Sequence, residues 1–170
     1  MSIFDPGNDK CMGQNLKELK DFLDEKVAQY NNPNFLERDP IQIPHAYTKK
    51  EDIEISGFLC ATISWGNRTS IVKNAKRMLA YMGESPYDFI LNHKEQHLKQ
   101  IDGFIHRTFN SVDLLTFIEG LKHLYKSKNG LEGIFVKYQT SESLQPAIHE
   151  LKKELFNIPH LVRTRKHVPD

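Results

Sequence analysis

Apolar residues along this chain recur at three- and four-residue intervals, the spacing that places them on one face of an α-helix. In LKELKDFLDEKVAQY the series Leu16, Leu19, Leu23, Val27 and Tyr30 forms a single stripe, stopped by Pro33. Residues 31–47 hold no sustained period and carry Pro33, Pro40 and Pro44, which predicts a long packed connector. Connectors of that length in compact domains are often functional. Thr48-Lys49-Lys50-Glu51 spells a capping box, in which the hydroxyl accepts from a backbone N–H and the carboxylate reaches back. The helix it predicts runs to about Ser64 and is apolar nearly all round, through Ile53, Ile55, Phe58, Leu59, Cys60, Ala61 and Ile63. Such a helix belongs in the middle of a fold.

Further along, Ile71, Ala75, Met78, Leu79 and Met82 give one face of a helix ended by Gly83. ESPYDFI restarts the period, with Ser85 as N-cap, Pro86 in the first turn and Asp88 behind it. A polar helical piece over 93–101 leads into the loop DGFIHRTFN. Ser111 then caps a strong helix bearing Leu114, Leu115, Phe117, Ile118, Leu121, Leu124 and Tyr125, closed by Asn129-Gly130. A short helix is expected at 131–138, and Ser143 opens one carrying Leu144, Ile148, Leu151 and Leu155. After Phe156 the period stops, and NIPHLVRTRKHVPD reads as basic and extended. No stretch alternates as a strand should and no internal repeat is present. The fold class is all-α: one compact domain of about six to seven helices over 16–156, with a flexible leader over 1–15 and a basic extended tail over 157–170.

Composition adds limits. The chain has 170 residues, 39% hydrophobic and 26% charged, ordinary for a globular domain able to bury roughly 70% of its unfolded surface. The net charge of +1 hides an asymmetry: residues 1–60 hold 11 acidic and 7 basic side chains, and residues 61–170 hold 11 and 16. An anionic partner for the second part fits that distribution, and so do two solvated faces of opposite sign. Cys11 and Cys60 are the only cysteines, without a Cys-x-x-Cys, so neither a disulfide framework nor a cysteine zinc site is supported. The start lacks a basic segment followed by an apolar one, and no apolar run nears the ~20 residues of a membrane helix. The expected compartment is the cytoplasm, with no membrane partner.

Candidate chemistry is sparse. His93 and His97, four apart with Glu95 between them, could share a metal on one helix face, but no third ligand is identifiable and the segment reads as solvated, so no metal is expected. Gly130 and Gly133 flank a helix start where amides could meet a phosphate, although capping explains both. There is no P-loop, no dinucleotide fingerprint and no nucleophile elbow, so no cofactor and no catalytic residue is assigned. Basic and polar groups gather in three irregular places: Asn67-Arg68-Thr69, His106-Arg107-Thr108 and Arg163-Thr164-Arg165-Lys166-His167. All three are led by arginine, which suits bidentate contact with phosphate or carboxylate. For the two loops, helix-end pairing is the simpler reading; for the tail, binding and structure weigh equally. Trp65, following an apolar helix, is expected as a core anchor rather than a stacking platform.

The blocks DPIQIPHAY, EDIEISGFLCATISWGNR, SPYDFI, HRTFN and RTRKHV together resemble an uncharacterised bacterial family, domain of unknown function 2400, from about residue 16 onward. The resemblance implies members that continue beyond residue 170, so that these residues form an N-terminal part. The family in turn is similar, distantly, to the helix-hairpin-helix DNA glycosylases of base-excision repair. There an apolar helix ends in a Ser-x-Gln-like turn facing DNA, and ISWGNRTSIVKNA has that character with Ser64 in the comparable place. No Gln follows Ser64, and neither the phosphate-gripping hairpin nor the catalytic Asp of that superfamily occurs here.

The resulting expectation is a helical domain that binds nucleic acid, with duplex DNA as partner and no complete active site; intact members, if enzymatic, would be glycosylase- or lyase-like. Its contact candidates are Asn67, Arg68, Thr69, His106, Arg107, Arg163, Arg165 and Lys166. The alternative is a non-catalytic module whose apolar surface meets a C-terminal half or a helical protein partner. A third reading, a metal-dependent hydrolase, would use His93, Glu95 and His97.

Overall fold

The computed structural model describes the backbone of residues 7–169, with side chains described over 15–169. It divides into two compact units that meet between Glu37 and Arg38. The first contains helix α1 (Gly7–Tyr30) and the short α2 (Pro33–Leu36). Of the flexible leader expected over 1–15, residues 1–6 lie outside the described residues and the backbone is helical from Gly7. The Tyr30 and Phe35 rings meet edge-to-face at 5.7 Å, and the Asn32 amide donates to the Gln29 carbonyl, so the turn ahead of Pro33 is held locally.

The regular structure of the second unit is helical apart from one very small sheet. Two 3-10 turns, Pro40–Gln42 and Pro44–Ala46, precede α3 (Lys50–Thr62), α4 (Arg68–Ala80), α5 (Pro86–Asn92) and α6 (Glu95–Lys99). Then come strands β1 (Ile105–His106) and β2 (Phe109–Asn110), followed by α7 (Ser111–Ser127), α8 (Gly130–Tyr138) and α9 (Gln145–Leu155). A 3-10 helix, Val162–His167, completes the described chain. The all-α class therefore holds, although the connector over 31–47 and the segment after His93 are themselves broken into short helical turns.

α7 is the axis of this unit, packed by α5, α8 and α9. Its Leu114, Phe117, Ile118, Leu121 and Leu124 are fully buried. Phe117 links several layers: its ring meets Phe109 edge-on at 5.3 Å, Phe156 edge-on at 6.0 Å, and stacks on Phe58 at 5.8 Å. The fully buried Phe109 and Phe117 rings each contribute roughly 1.5–3 kcal/mol. α9 comes so close to α7 that a Cβ on Gly120 would lie 2.4 Å from the Leu155 carbonyl oxygen.

Four sequence expectations are corrected. The capping box at Thr48 does not form: α3 starts one residue later, with Lys49 as N-cap and no side-chain cap bond. Glu51 thus sits at the second helical position, where it cannot complete the box. The cap of α7 is Asn110 rather than Ser111; its Oδ1 accepts from Val112 N and Asp113 N while the Asp113 carboxylate accepts from Asn110 N. The two-residue β1–β2 ladder, Ile105 opposite Asn110 and His106 opposite Phe109, is too short to leave an alternating pattern. The basic tail is not extended: it folds as the 3-10 helix Val162–His167, with Thr164 and Val168 buried.

Candidate functional site

The turn joining α3 to α4 is built by local chemistry. Ser64 Oγ donates to the Cys60 carbonyl at 2.8 Å, closing the end of α3. Gly66 then takes φ +111°, a conformation that side chains rarely adopt, and a Cβ there would lie 2.9 Å from Arg107 Nη1. Asn67 caps α4, its Oδ1 accepting from Ser70 N at 3.1 Å. Arg68 opens the helix, 58% exposed, with Nη2 3.9 Å from Asp39 Oδ2. Thr69 beside it is exposed.

The β1–β2 hairpin approaches this turn. Arg107 at its tip has φ +57°, and its guanidinium carbon stands 4.6 Å from the centre of the Trp65 ring. A cation over an indole face is attracted by the ring quadrupole and holds both groups in place. Trp65 is 36% exposed, so it is an edge residue and not the core anchor expected of it. It follows the end of α3, outside the layer that Ile63 closes. His106, by contrast, is only 4% exposed and lies edge-on to Trp65 at 6.0 Å. The Asn74 side-chain amide donates to His106 Nδ1 at 3.1 Å, which puts the neutral ring's proton on Nε2. That nitrogen is buried and has no hydrogen-bond partner.

At its base the hairpin meets the C-terminal basic segment. Asp113, fully buried, accepts from Asn110 N at 3.0 Å, from Arg163 Nη1 at 3.1 Å and from Thr164 Oγ1 at 2.6 Å. Arg163 Nη2 also donates to Asn110 Oδ1 at 3.1 Å. His167 Nε2 lies 3.7 Å from the same Asp113 oxygen that Arg163 uses, and its ring packs on Phe109 at 5.0 Å. Burial pushes the His167 imidazole below the usual histidine range, against the pull of the Asp113 charge; Lys166 and Arg163 push it the same way as burial.

The three basic clusters are therefore joined through one element: tip to the Trp65 turn, base to Val162–His167. They are not equivalent. Arg68 and Arg107 sit on the exposed edge, while Arg163 is committed to the Asp113 clasp with 40% of its side chain exposed. Arg165 lies 5.5 Å from the Phe156 ring centre, half-buried, and Lys166 is exposed. His106 is interior and supports Trp65 from below. Asp113 and Asn74 were missed in the sequence because their partners lie 50 and 32 positions away.

The other candidates separate. His93 caps the end of α5 while His97 is in α6, so the pair is not on one helix. His93 already contacts the Phe89 carbonyl and Glu119 at 3.0 Å each, and His97 Nδ1 accepts from Lys94 N. Among the described residues no group of three or more His, Cys, Asp or Glu could hold a metal ion. At the Gly130 turn, a Cβ would lie 2.5 Å from the Tyr125 ring, so close packing and φ +78° explain that glycine. Cys60 is buried, and burial raises its thiol; Cys11 lies outside the residues whose side chains are described. No helix among the described residues is long and apolar enough to cross a membrane.

A family model described as "Protein of unknown function (DUF2400)" matches residues 39–170, which takes in the whole hairpin-centred site. The chain belongs to the DUF2400 family. The match begins at Asp39, the residue whose carboxylate faces Arg68, one position inside the second compact unit. Within DUF2400 the unit that carries Trp65, Arg107 and Asp113 is thus the family's own. No curated protein and no solved structure matches the chain.

Proposed function

We propose that this domain binds nucleic acid through the exposed edge formed by the α3–α4 turn and the β1–β2 hairpin. The observation that carries the reading is the Arg107–Trp65 stack, a cation and an indole held together at a partly exposed rim. Arg68 and Arg107 would take phosphate oxygens, Asn67 and Thr69 would add polar contacts, and Lys166 and Arg165 would extend the basic surface. Arg163 would act mainly by fixing the hairpin. The likeness to DNA glycosylases is part of this proposal as ancestry: the apolar α3, ending at Thr62, and the turn through Ser64 into α4 are what support it. Catalysis is not assigned to any of these residues, and a base pocket with a second wall from further chain belongs to the same reading.

The test is fluorescence anisotropy with an abasic-site duplex and its undamaged twin, at low and at physiological salt. Salt-sensitive binding that favours the damaged duplex supports the reading with its ancestry. Equal binding to both supports only a generic basic surface, and no binding at low salt rejects it.

A second reading, a protein-interaction module, is favoured by α1. Leu16, Leu19, Phe22, Leu23, Val27 and Tyr30 are each between 51% and 62% exposed, an apolar stripe in water. Sedimentation across a concentration series separates the two: self-association lost on Leu19→Glu and Leu23→Glu favours the module, and a monomer at every concentration counts against it.

A further inference from the structure

α4 carries Arg68, Lys73, Lys76 and Arg77 and no carboxylate. Among the described helices of eight residues or more, it alone lacks an acidic side chain. Elsewhere exposed lysines pair along their own helices, as Lys20 does with Asp24, Lys99 with Glu95 and Lys153 with Glu150. Ile71, Ala75, Met78 and Leu79 bury one face of α4. At about 100° per residue, Thr69, Lys73, Lys76 and Ala80 form a stripe on the opposite face, and all four are exposed. Neither lysine of the stripe has a hydrogen-bond or ion-pair partner among the described residues. Lys73 faces like charge at Lys76 and Arg77, three and four positions on, and Arg68 stands at the positive end of the helix dipole. An anionic strand along the stripe offsets both repulsions.

The stripe continues the edge already described. Thr69 belongs to both, and the hairpin is tied to the side of α4 by two contacts. The Asn74 amide donates to His106 Nδ1 at 3.1 Å, and Arg77 Nη2 donates to the Gly103 carbonyl at 3.3 Å. Arg77 Nε also donates to the Tyr81 hydroxyl at 3.0 Å, so this arginine is a strut and the two lysines are the face's open cations. Asp39 faces Arg68 at one end, Asp102 caps Gly103 N at the other, and neither pairs with Lys73 or Lys76.

We propose that this face of α4 is a second phosphate row of the nucleic-acid interface, Lys73 and Lys76 each taking a phosphate of a duplex strand that also meets Arg68 and Arg107. From Arg68 to Lys76 the helix rises roughly 12 Å, a length over which one duplex strand carries about three to four phosphates. A lysine ammonium is a compact point charge on a flexible stem, so the row holds the backbone in place without reading sequence. The row rests on the nucleic-acid reading and gives it a direction: the strand runs along α4 rather than across its first turn.

The test compares two double variants of the full chain on an undamaged duplex, by anisotropy across a salt series. Lys73→Gln with Lys76→Gln removes the row. Lys122→Gln with Lys126→Gln removes the same charge from α7, roughly 18 and 24 Å along that helix from its Asn110 cap. Each phosphate contact adds about 0.9 to the log–log salt slope, so the α4 variant is expected to bind more weakly with a slope shallower by about 1.8. The α7 variant is expected to keep the wild-type slope. Because the substituted α4 side chains are exposed and without partners, the unfolding midpoint of that variant should match the wild type. Wild-type binding with an unchanged slope in the α4 variant overturns the row and leaves the nucleic-acid reading standing. An equal loss in both variants also overturns it, since net charge alone then accounts for the effect. No wild-type binding at low salt rejects the nucleic-acid reading and the row together.

Discussion

The Arg107 guanidinium is stacked on the Trp65 ring, 4.6 Å from its centre, across the gap between the hairpin tip and the α3–α4 turn. Gly66 makes the approach possible, because a Cβ at that position would meet Arg107 Nη1 at 2.9 Å and φ +111° would strain it. Gly66→Ala is therefore expected to destabilise the domain by about 1–2 kcal/mol, from backbone strain and displacement of Arg107. Emission from Trp65, the chain's single tryptophan, reports the loss of the stack, and chemical denaturation reports the energy.

Asp113 serves the α7 cap, Arg163 and Thr164 at once. Asp113→Ala leaves the Asn110 N–H and the buried Thr164 hydroxyl without their acceptor, and the expected cost is about 2–4 kcal/mol. Part of the Arg163 charge reaches water, which keeps the loss below that of a fully buried pair. Proteolysis should then cut first within 157–169, the segment the clasp holds down.

Gly120→Ala tests the packing of α7 on α9. The new Cβ meets backbone, the Leu155 carbonyl oxygen at 2.4 Å, so the helices must separate. The expected net cost is about 1–3 kcal/mol, despite the higher helix propensity of alanine. An unchanged unfolding midpoint would contradict this account of the interface.

His167 sets an acid limit. Its folded pKa lies below that of the unfolded chain, chiefly through burial, so the unfolded state binds the proton first. This contribution to stability is complete above the unfolded value of about 6.5 and is lost as pH falls below it toward the folded value. The groups that face the ring are Asp113, Arg163, Lys166 and the Phe109 edge. His167→Gln is expected to flatten the fall in unfolding free energy below about pH 6.5, measured by urea titrations at successive pH values.

What was legible in the sequence is what local chemistry decides. Ser85-Pro86-Asp88 was readable because a cap and its helix are neighbours, and Ser85 Oγ does accept from Asp88 N. The buried faces of α4 and α7 followed from their period. The site was legible only as three scattered arginine clusters. What unites them depends on long-range partners: Asn74 beneath His106, Arg163 and Thr164 on Asp113, and a hairpin with two residues per strand. Trp65 shows the limit clearly. Its apolar neighbours argued for the core, and only the end of α3 at Thr62 puts it on the rim.

The most direct measurement is the salt dependence of duplex binding for the wild-type chain and for Arg107→Ala. Counterion release gives a log–log slope of about −0.9 for each phosphate contact. With Arg68, Arg107, Arg165 and Lys166 in contact, the account predicts a steep slope that becomes shallower by about 0.9 in Arg107→Ala, with a folded domain. A slope near zero, or one unchanged by the substitution, would contradict it.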